Sequence, residues 1–184
     1  MRKLTHAEIS KNRIDLENVQ FVKKLPVYVI LDSIRSSYNV GSIFRTSDGA
    51  MIEHLYLCGY TPAPPKKEVL KTALGSTESI SWSHEDDPVK IVGDLKKIGV
   101  KICALEQTSK TILHYEINFK EHYPICLIVG NEITGVSQKL IDLCDFSIEL
   151  PQYGIKQSLN VAVAYGIAVF KLREVYDLAL KNKQ

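Results

Sequence analysis

The sequence predicts an α/β domain: a mostly parallel sheet with helices on both faces. Five short apolar runs rich in β-branched residues, at 27–31, 55–58, 100–105, 125–129 and 146–150, recur along the chain. Their apolarity is continuous rather than alternating, which marks strands covered on both faces. Helical patterns fill the gaps, and repeated β–α alternation implies parallel pairing through right-handed crossovers. The 184 residues, 45% hydrophobic and 24% charged, have the size and composition of one globular domain. A chain of that size buries about 70% of its unfolded surface and needs no disulfide or metal staple.

Residues 1–25 read as an N-terminal helical extension and 26–184 as the main domain. In the extension, Thr5 and Glu8 have capping-box spacing ahead of Ile9, opening a polar helix over 6–18 whose sparse apolar residues give it little to bury. The strand at 27–31 is followed by a helix over 40–48 and the strand at 55–58. TPAPP at 61–65 is a stiff loop. A helix over 68–74 stops at Gly75, and Trp82 sits in a shorter strand. Pro88 in its first turn and Gly99 past its end delimit a helix over 88–98. Strands at 100–105 and 125–129, a helix over 137–144 and the strand at 146–150 follow. The last helix, 159–180, is the longest. Its first half (Val161, Ala162, Val163, Ala164, Ile167, Ala168, Val169) is apolar all round and is expected to be buried; its second half is charged and expected to be partly exposed.

Composition excludes several classes. Lys plus Arg is 23 against 21 Asp plus Glu, so nucleic acid cannot be held by bulk charge and needs a local patch. The longest stretch free of charged residues, 157–170, is shorter than the ~18 residues of a membrane span. The N-terminus lacks the apolar core of a signal peptide, so a cytoplasmic location is expected. Cys58, Cys103, Cys126 and Cys144 form no CxxC pair and read as buried free thiols; the histidines are scattered, so no metal site is expected. No G-x-G-x-x-G follows the first strand. GNEITGVS at 130–137 has the glycine spacing of a P-loop, but Val136 replaces the lysine that phosphates need. G-x-S-x-G is absent.

Three turns rich in glycine and amides remain, each after a strand: Asn39 to Arg45 (NVGSIFR), Gly130 to Gly135 (GNEITG) and Leu150 to Asn160 (LPQYGIKQSLN). Taken singly, each has a structural reading. Asn39 suits a helix N-cap and Arg45 a solvated helix face. Gly130 and Gly135 suit turns, and Ser158 and Asn160 suit the cap of the last helix. Taken together they converge at the carboxyl ends of one sheet, where α/β folds gather ligand sites.

These segments resemble the three motifs of the SpoU (TrmH) family of S-adenosyl-L-methionine-dependent RNA ribose 2′-O-methyltransferases. NxGxxxR is matched by Asn39, Gly41 and Arg45, and GxExxG by Gly130, Glu132 and Gly135. IPxxG…SLNxxxA is matched by Pro151, Gly154, Ser158, Leu159 and Asn160, with Leu150 in place of isoleucine. Lys71 to Gly75 (KTALG) also resembles a family segment, and the similarity runs over 27–172. The resemblance implies a SPOUT-type α/β fold with a C-terminal trefoil knot, a homodimer with sites near the interface, S-adenosylmethionine as cofactor, and RNA, either tRNA or rRNA, as partner. The PQYGIKQSLNV stretch leans toward the tRNA enzymes.

The resemblance also implies roles. Arg45, Asn39, Glu132, Ser158 and Asn160 are the catalytic candidates. Deprotonating an ordinary guanidinium at pH 7 costs roughly 8 to 9 kcal/mol, so Arg45 reads better as a cation beside the developing alkoxide than as a base. Asn39 would position Arg45 or the ribose, and Glu132, acceptor-only when ionised, would hold a donor in place. Leu105, Gly130, Leu150, Ser158 and Leu159 are the cofactor-binding candidates, with Leu150 and Leu159 flanking the adenine. Arg35, Lys66, Lys67, Lys71 and Lys156 are the candidates for RNA phosphates, with Tyr38 and Tyr153 for stacking on bases. A non-catalytic RNA-binding or assembly protein with the same fold is the alternative; the set Arg45, Glu132, Ser158 and Asn160 favours the enzyme.

Overall fold

The computed structural model describes residues 1–11 and 13–182. Its centre is a seven-stranded sheet in the order β3-β2-β1-β6-β4-β7-β5. The strands are β1 (Leu25–Asp32), β2 (Ile52–Cys58), β3 (Trp82–Glu85), β4 (Lys101–Leu105), β5 (Thr111–Leu113), β6 (Ile125–Gly130) and β7 (Phe146–Glu149). Every neighbouring pair is parallel. The two strands with the most continuous apolar sequence, β1 and β6, lie side by side near the middle, and every residue of β6 is buried. The edge strands are short and incompletely buried: Trp82–Glu85 at one side, Thr111–Leu113 at the other.

One face of the sheet packs on α2 (Ser37–Ala50), α3 (Lys67–Ala73) and α8 (Val161–Lys181). Val27, Val29, Leu31, Leu55, Leu57 and Leu127 meet Ile43, Phe44, Val69, Tyr165 and Leu172 there. The alternate residues Ile30, Cys58, Ile102, Cys126 and Ile128 face α5 (Pro88–Lys97) and Leu140 of α7 (Gln138–Ile141). Short helices α4 (Ser76–Ser79) and α6 (Phe119–His122) complete the connections. Among the described residues no helix is long and apolar enough to cross a membrane, and no cluster of metal-ligating side chains is present. Cys58, Cys103, Cys126 and Cys144 are free thiols, the first three buried.

Two close approaches set the position of α2. A side chain at Gly41 would overlap the Thr72 hydroxyl and the Val69 carbonyl of α3, so the glycine of the first motif is a packing requirement. On its other side α2 crosses α8, where Ser47 and Tyr165 share a hydrogen bond of 2.7 Å between buried hydroxyls. At the same crossing Gly166 sits 3.8 Å from Thr46 and Gly49 3.4 Å from Phe170, measured from ideal Cβ positions. Packed this way, α8 also touches β1, β4, β6 and the 3₁₀ turn His114–Glu116.

Several expectations need correction. The N-terminal helix α1 spans only His6–Ser10; the Thr5–Glu8 capping box is present, but none of its residues is buried, so nothing extends it toward 18. Residue 12, inside the expected span, lies outside the described residues, as do 183–184 of the expected main domain. The first half of α8 is not buried all round. Tyr165, Ala168 and Val169 are buried, whereas Val163, Ile167 and Phe170 are 52%, 42% and 50% exposed. A helix packed on one side of a sheet buries one stripe, and the apolar residues here exceed that stripe.

Candidate active site

The connections leaving β1 and β6 part in opposite directions. After β1 the chain turns through α2 toward β2; after β6 it turns through α7 toward β7, beyond β4. A crevice opens outside the carboxyl ends of strands at such a switch point. Beside that point, on the side of β6 away from β1, lies a cleft of about 700 Å³ bounded by the ends of β4, β6 and β7 and the start of α8. A volume of that order suits a nucleoside-sized ligand. Leu105, Gly130, Leu150, Ser158 and Leu159, the five cofactor candidates, all line it.

The turn after β6 forms the cleft's rim. Asn131 and Gly135 close it with two backbone bonds, 3.1 and 2.9 Å, and Gly135 adopts φ +68°, a conformation open to glycine. A side chain at Gly130 would collide with the backbone of Gly135 and Val136. Both glycines of the second motif are therefore needed for the turn to fold back over the strand end. Asn131 locks it from within. Its Oδ1 accepts from the N–H groups of Ile133 (2.8 Å) and Thr134 (3.1 Å), and its Nδ2 donates to the Ser33 carbonyl (2.8 Å) and the Tyr60 hydroxyl (2.7 Å). Buried Asp32, at the end of β1, accepts from Ser137 N–H at 2.9 Å.

Glu132 points from this turn to the start of α2. Its carboxylate accepts from the N–H groups of Arg35 (2.8 Å) and Ser36 (3.0 Å) and from Asn39 Nδ2 (2.8 Å). A carboxylate at a helix N-terminus also meets the favourable end of the helix dipole. Burial pushes the Glu132 carboxyl up, but these donors, led by the Arg35 N–H, outweigh it and hold it below the usual carboxylate range. Asn39 then passes the link on: its Oδ1 accepts from Asn160 Nδ2 at 3.2 Å. Asn160 Oδ1 caps α8 by accepting from Ala162 N–H (2.9 Å) and Val163 N–H (3.4 Å). One relay of side-chain amides and a carboxylate thus joins the three motif turns.

The structure separates other candidates. Asn39 is not the N-cap of α2; Ser36 is, accepting from Asn39 N–H at 3.3 Å. Asn39 bonds Glu132 and Asn160, not Arg45. Arg45 lies farther along α2, exposed and outside the cleft, with no hydrogen bond or ion pair among the described residues. Ser158 lines the cleft but makes no side-chain hydrogen bond there among the described residues. Lys66, Lys67 and Lys71 lie on and before α3, Arg35 precedes α2, and Lys156 sits in the 150–160 loop; all five are exposed. Tyr38 is half exposed and Tyr153 almost fully so.

Residues 26–170 match the SpoU rRNA Methylase family. The chain belongs to that family. Among curated SpoU relatives, the tRNA (guanosine(18)-2′-O)-methyltransferase of Aquifex aeolicus is 30% identical over 85% of this chain and 72% of its own length. Its family fold recurs in the solved A. aeolicus TrmH/SpoU tRNA modifying enzyme, which superposes with a TM-score of 0.78 at 27% identity, covering 89% of this chain and 83% of that one. An AdoMet-bound rRNA methyltransferase from Sinorhizobium meliloti superposes with a TM-score of 0.75 at 28% identity. This chain is covered over 85% of its length in that match but spans only 59% of the Sinorhizobium protein.

Sequence reasoning missed Asp32, Asn131 and Glu106, which hold the second-motif turn. Asn131 stood inside a matched motif at an unspecified position, and Asp32 and Glu106 end strands or follow them directly. Their position at carboxyl strand ends was the available signal.

Proposed function

We propose that this chain transfers a methyl group from S-adenosylmethionine to a ribose 2′-hydroxyl of a structured RNA. The observation that carries the reading is the Glu132–Asn39–Asn160 relay, which ties the first motif on α2 to the two motif turns that line the cleft. The cleft suits the cofactor on chemical grounds. Leu105, Leu150 and Leu159 supply apolar surface for an adenine, Gly130 keeps the turn tight against the strand end, and Gln107 and Thr108 supply polar groups for a ribose.

When bound, the cofactor supplies a methyl group already made electrophilic by its sulfonium. The chain's residues orient and stabilise around it. Glu132 and Asn39 fix the N-terminus of α2, and Asn160 fixes that of α8, so the two helix starts keep a set distance. Arg45 presents a guanidinium to the ribose oxygen as negative charge develops there, and to the neighbouring phosphate. Arg35, Lys66, Lys67, Lys71 and Lys156 hold the RNA backbone, with Tyr38 and Tyr153 offered to bases.

Arg45 stands outside its own chain's cleft, which favours a site completed by a second copy. The apolar residues Val163, Ile167 and Phe170, spaced along one side of α8, stay exposed in the single chain and offer a self-complementary contact. Sedimentation is expected to give a dimer. Mixing an Arg45→Ala chain with a Ser158→Ala chain is expected to recover activity that neither has alone; a fully active monomer would contradict this part.

The RNA class follows the sequence lean toward tRNA. Mapping 2′-O-methylated riboses in RNA from cells with and without the protein tests the whole reading. A tRNA ribose that loses its methyl group supports it; an rRNA ribose shifts the substrate; no change in either removes the proposal.

A further inference from the structure

The charge of the cleft is one-sided. Glu106, Glu132 and Glu149 line it, and among the described residues no lysine, arginine or histidine does. Glu132 is engaged by the start of α2. Glu106 is placed differently. It follows β4 directly, and its two oxygens accept from Gln107 N–H (3.0 Å) and Val136 N–H (3.3 Å). It lies so close to Gly135 that any side chain there would overlap its carboxylate. The carboxylate is thereby fixed in the wall between β4 and the turn after β6. It forms no ion pair among the described residues. A charge held in a partly water-excluded cleft acts more strongly on a ligand charge than it would on an open surface.

This bears on the cofactor reading, on which it rests. Methyl transfer breaks the sulfur–methyl bond, leaves the electron pair on sulfur and forms the methyl–oxygen bond, while the hydroxyl proton passes to solvent. The ligand left in the cleft has lost the methyl group and, with it, the positive charge on sulfur. We infer that Glu106 is a specificity-determining residue that makes the cleft prefer the cationic methyl donor over its neutral-sulfur product. The same carboxylate then weakens the hold on the product once the methyl group has gone.

The test is calorimetric and needs no turnover. S-adenosylmethionine, S-adenosylhomocysteine and sinefungin, which carries a protonated amine where the sulfonium charge would be, are titrated into the full chain and into Glu106→Gln. Glutamine keeps the size and one acceptor, for Val136 N–H, and removes the charge together with the acceptor for Gln107 N–H. The wild type is expected to bind both cationic ligands about tenfold tighter than S-adenosylhomocysteine, narrowing as salt is raised. In Glu106→Gln the gap is expected to shrink to within about threefold, through weaker binding of the cationic pair. Equal affinities in the wild type, which need no variant to measure, overturn the inference. So does an equal loss for all three ligands in the variant, which would mark Glu106 as holding the ribose or the turn. Binding of none of the three would remove the cofactor reading itself, a different failure from equal binding of all.

Discussion

Replacing Arg45 by alanine is expected to lower methyl transfer by about 10²- to 10³-fold, the loss seen when one preorganised donor to a developing oxyanion is removed. Cofactor affinity is expected to stay within about twofold, because Arg45 lies outside the cleft and a residue that touches only the acceptor acts on the transition state. Arg45 also has no partner among the described residues, so its removal leaves no buried group unsatisfied and stability is expected to hold. Arg45→Lys is expected to be nearly as poor, since an ammonium cannot reproduce the planar fork at an oxyanion and a phosphate. Single-turnover rates with saturating cofactor, beside calorimetry on the same variants, read the two effects separately. A variant that keeps wild-type rates would remove Arg45 from the chemistry.

Glu132→Ala is expected to act through position. The carboxylate takes three donors from the start of α2, and Asn39 in turn holds Asn160. Losing a charged acceptor of this kind costs about 2 kcal/mol of stability, part of it recovered by water at so open a site. The larger effect is on activity. Freeing the α2 terminus lets the acceptor side drift relative to the cleft, and a misplacement of about 1 Å costs on the order of 10²-fold in rate. Glu132→Gln keeps one acceptor and is expected to fall between the wild type and alanine. Urea denaturation and single-turnover rates on both variants distinguish this from a purely structural role. If activity falls only in proportion to the folded fraction, the relay does not position the site.

Why the fold was largely legible in the sequence is clearest at β1 and β6. Both are buried on two faces, so their apolar runs are unbroken and carry a strong signal. β5 shows the opposite case. It is three half-buried residues on a sheet edge, Thr111–Leu113, with too little burial to shape its sequence. The order of the strands was not legible, because β6 reaches its place between β1 and β4 through long-range pairing that no local pattern encodes. The apolar start of α8 is expected from its sequence to be buried, yet Val163, Ile167 and Phe170 are exposed in the single chain. Hydrophobic pattern reports that a surface is to be covered, not by which chain.

The site was legible in its motifs and not in its wiring. Asn39 stands 93 positions from Glu132 and 121 from Asn160, and only the fold brings it within 2.8 Å of the first and 3.2 Å of the second. The cap reading of Asn39 failed because Ser36, three residues earlier, takes that role and starts the helix sooner. Glu106 and Asp32 bind backbone N–H groups of a distant turn, and such contacts leave no periodic trace in a sequence.

The most direct measurement incubates the purified protein with methyl-labelled S-adenosylmethionine and total tRNA, digests the RNA to nucleosides and identifies the labelled product by mass spectrometry. The expected result is label in a 2′-O-methylnucleoside, absent with Arg45→Ala. Label on a base, or none in tRNA or rRNA from a folded protein that binds the cofactor, would contradict ribose methylation as the activity of this chain.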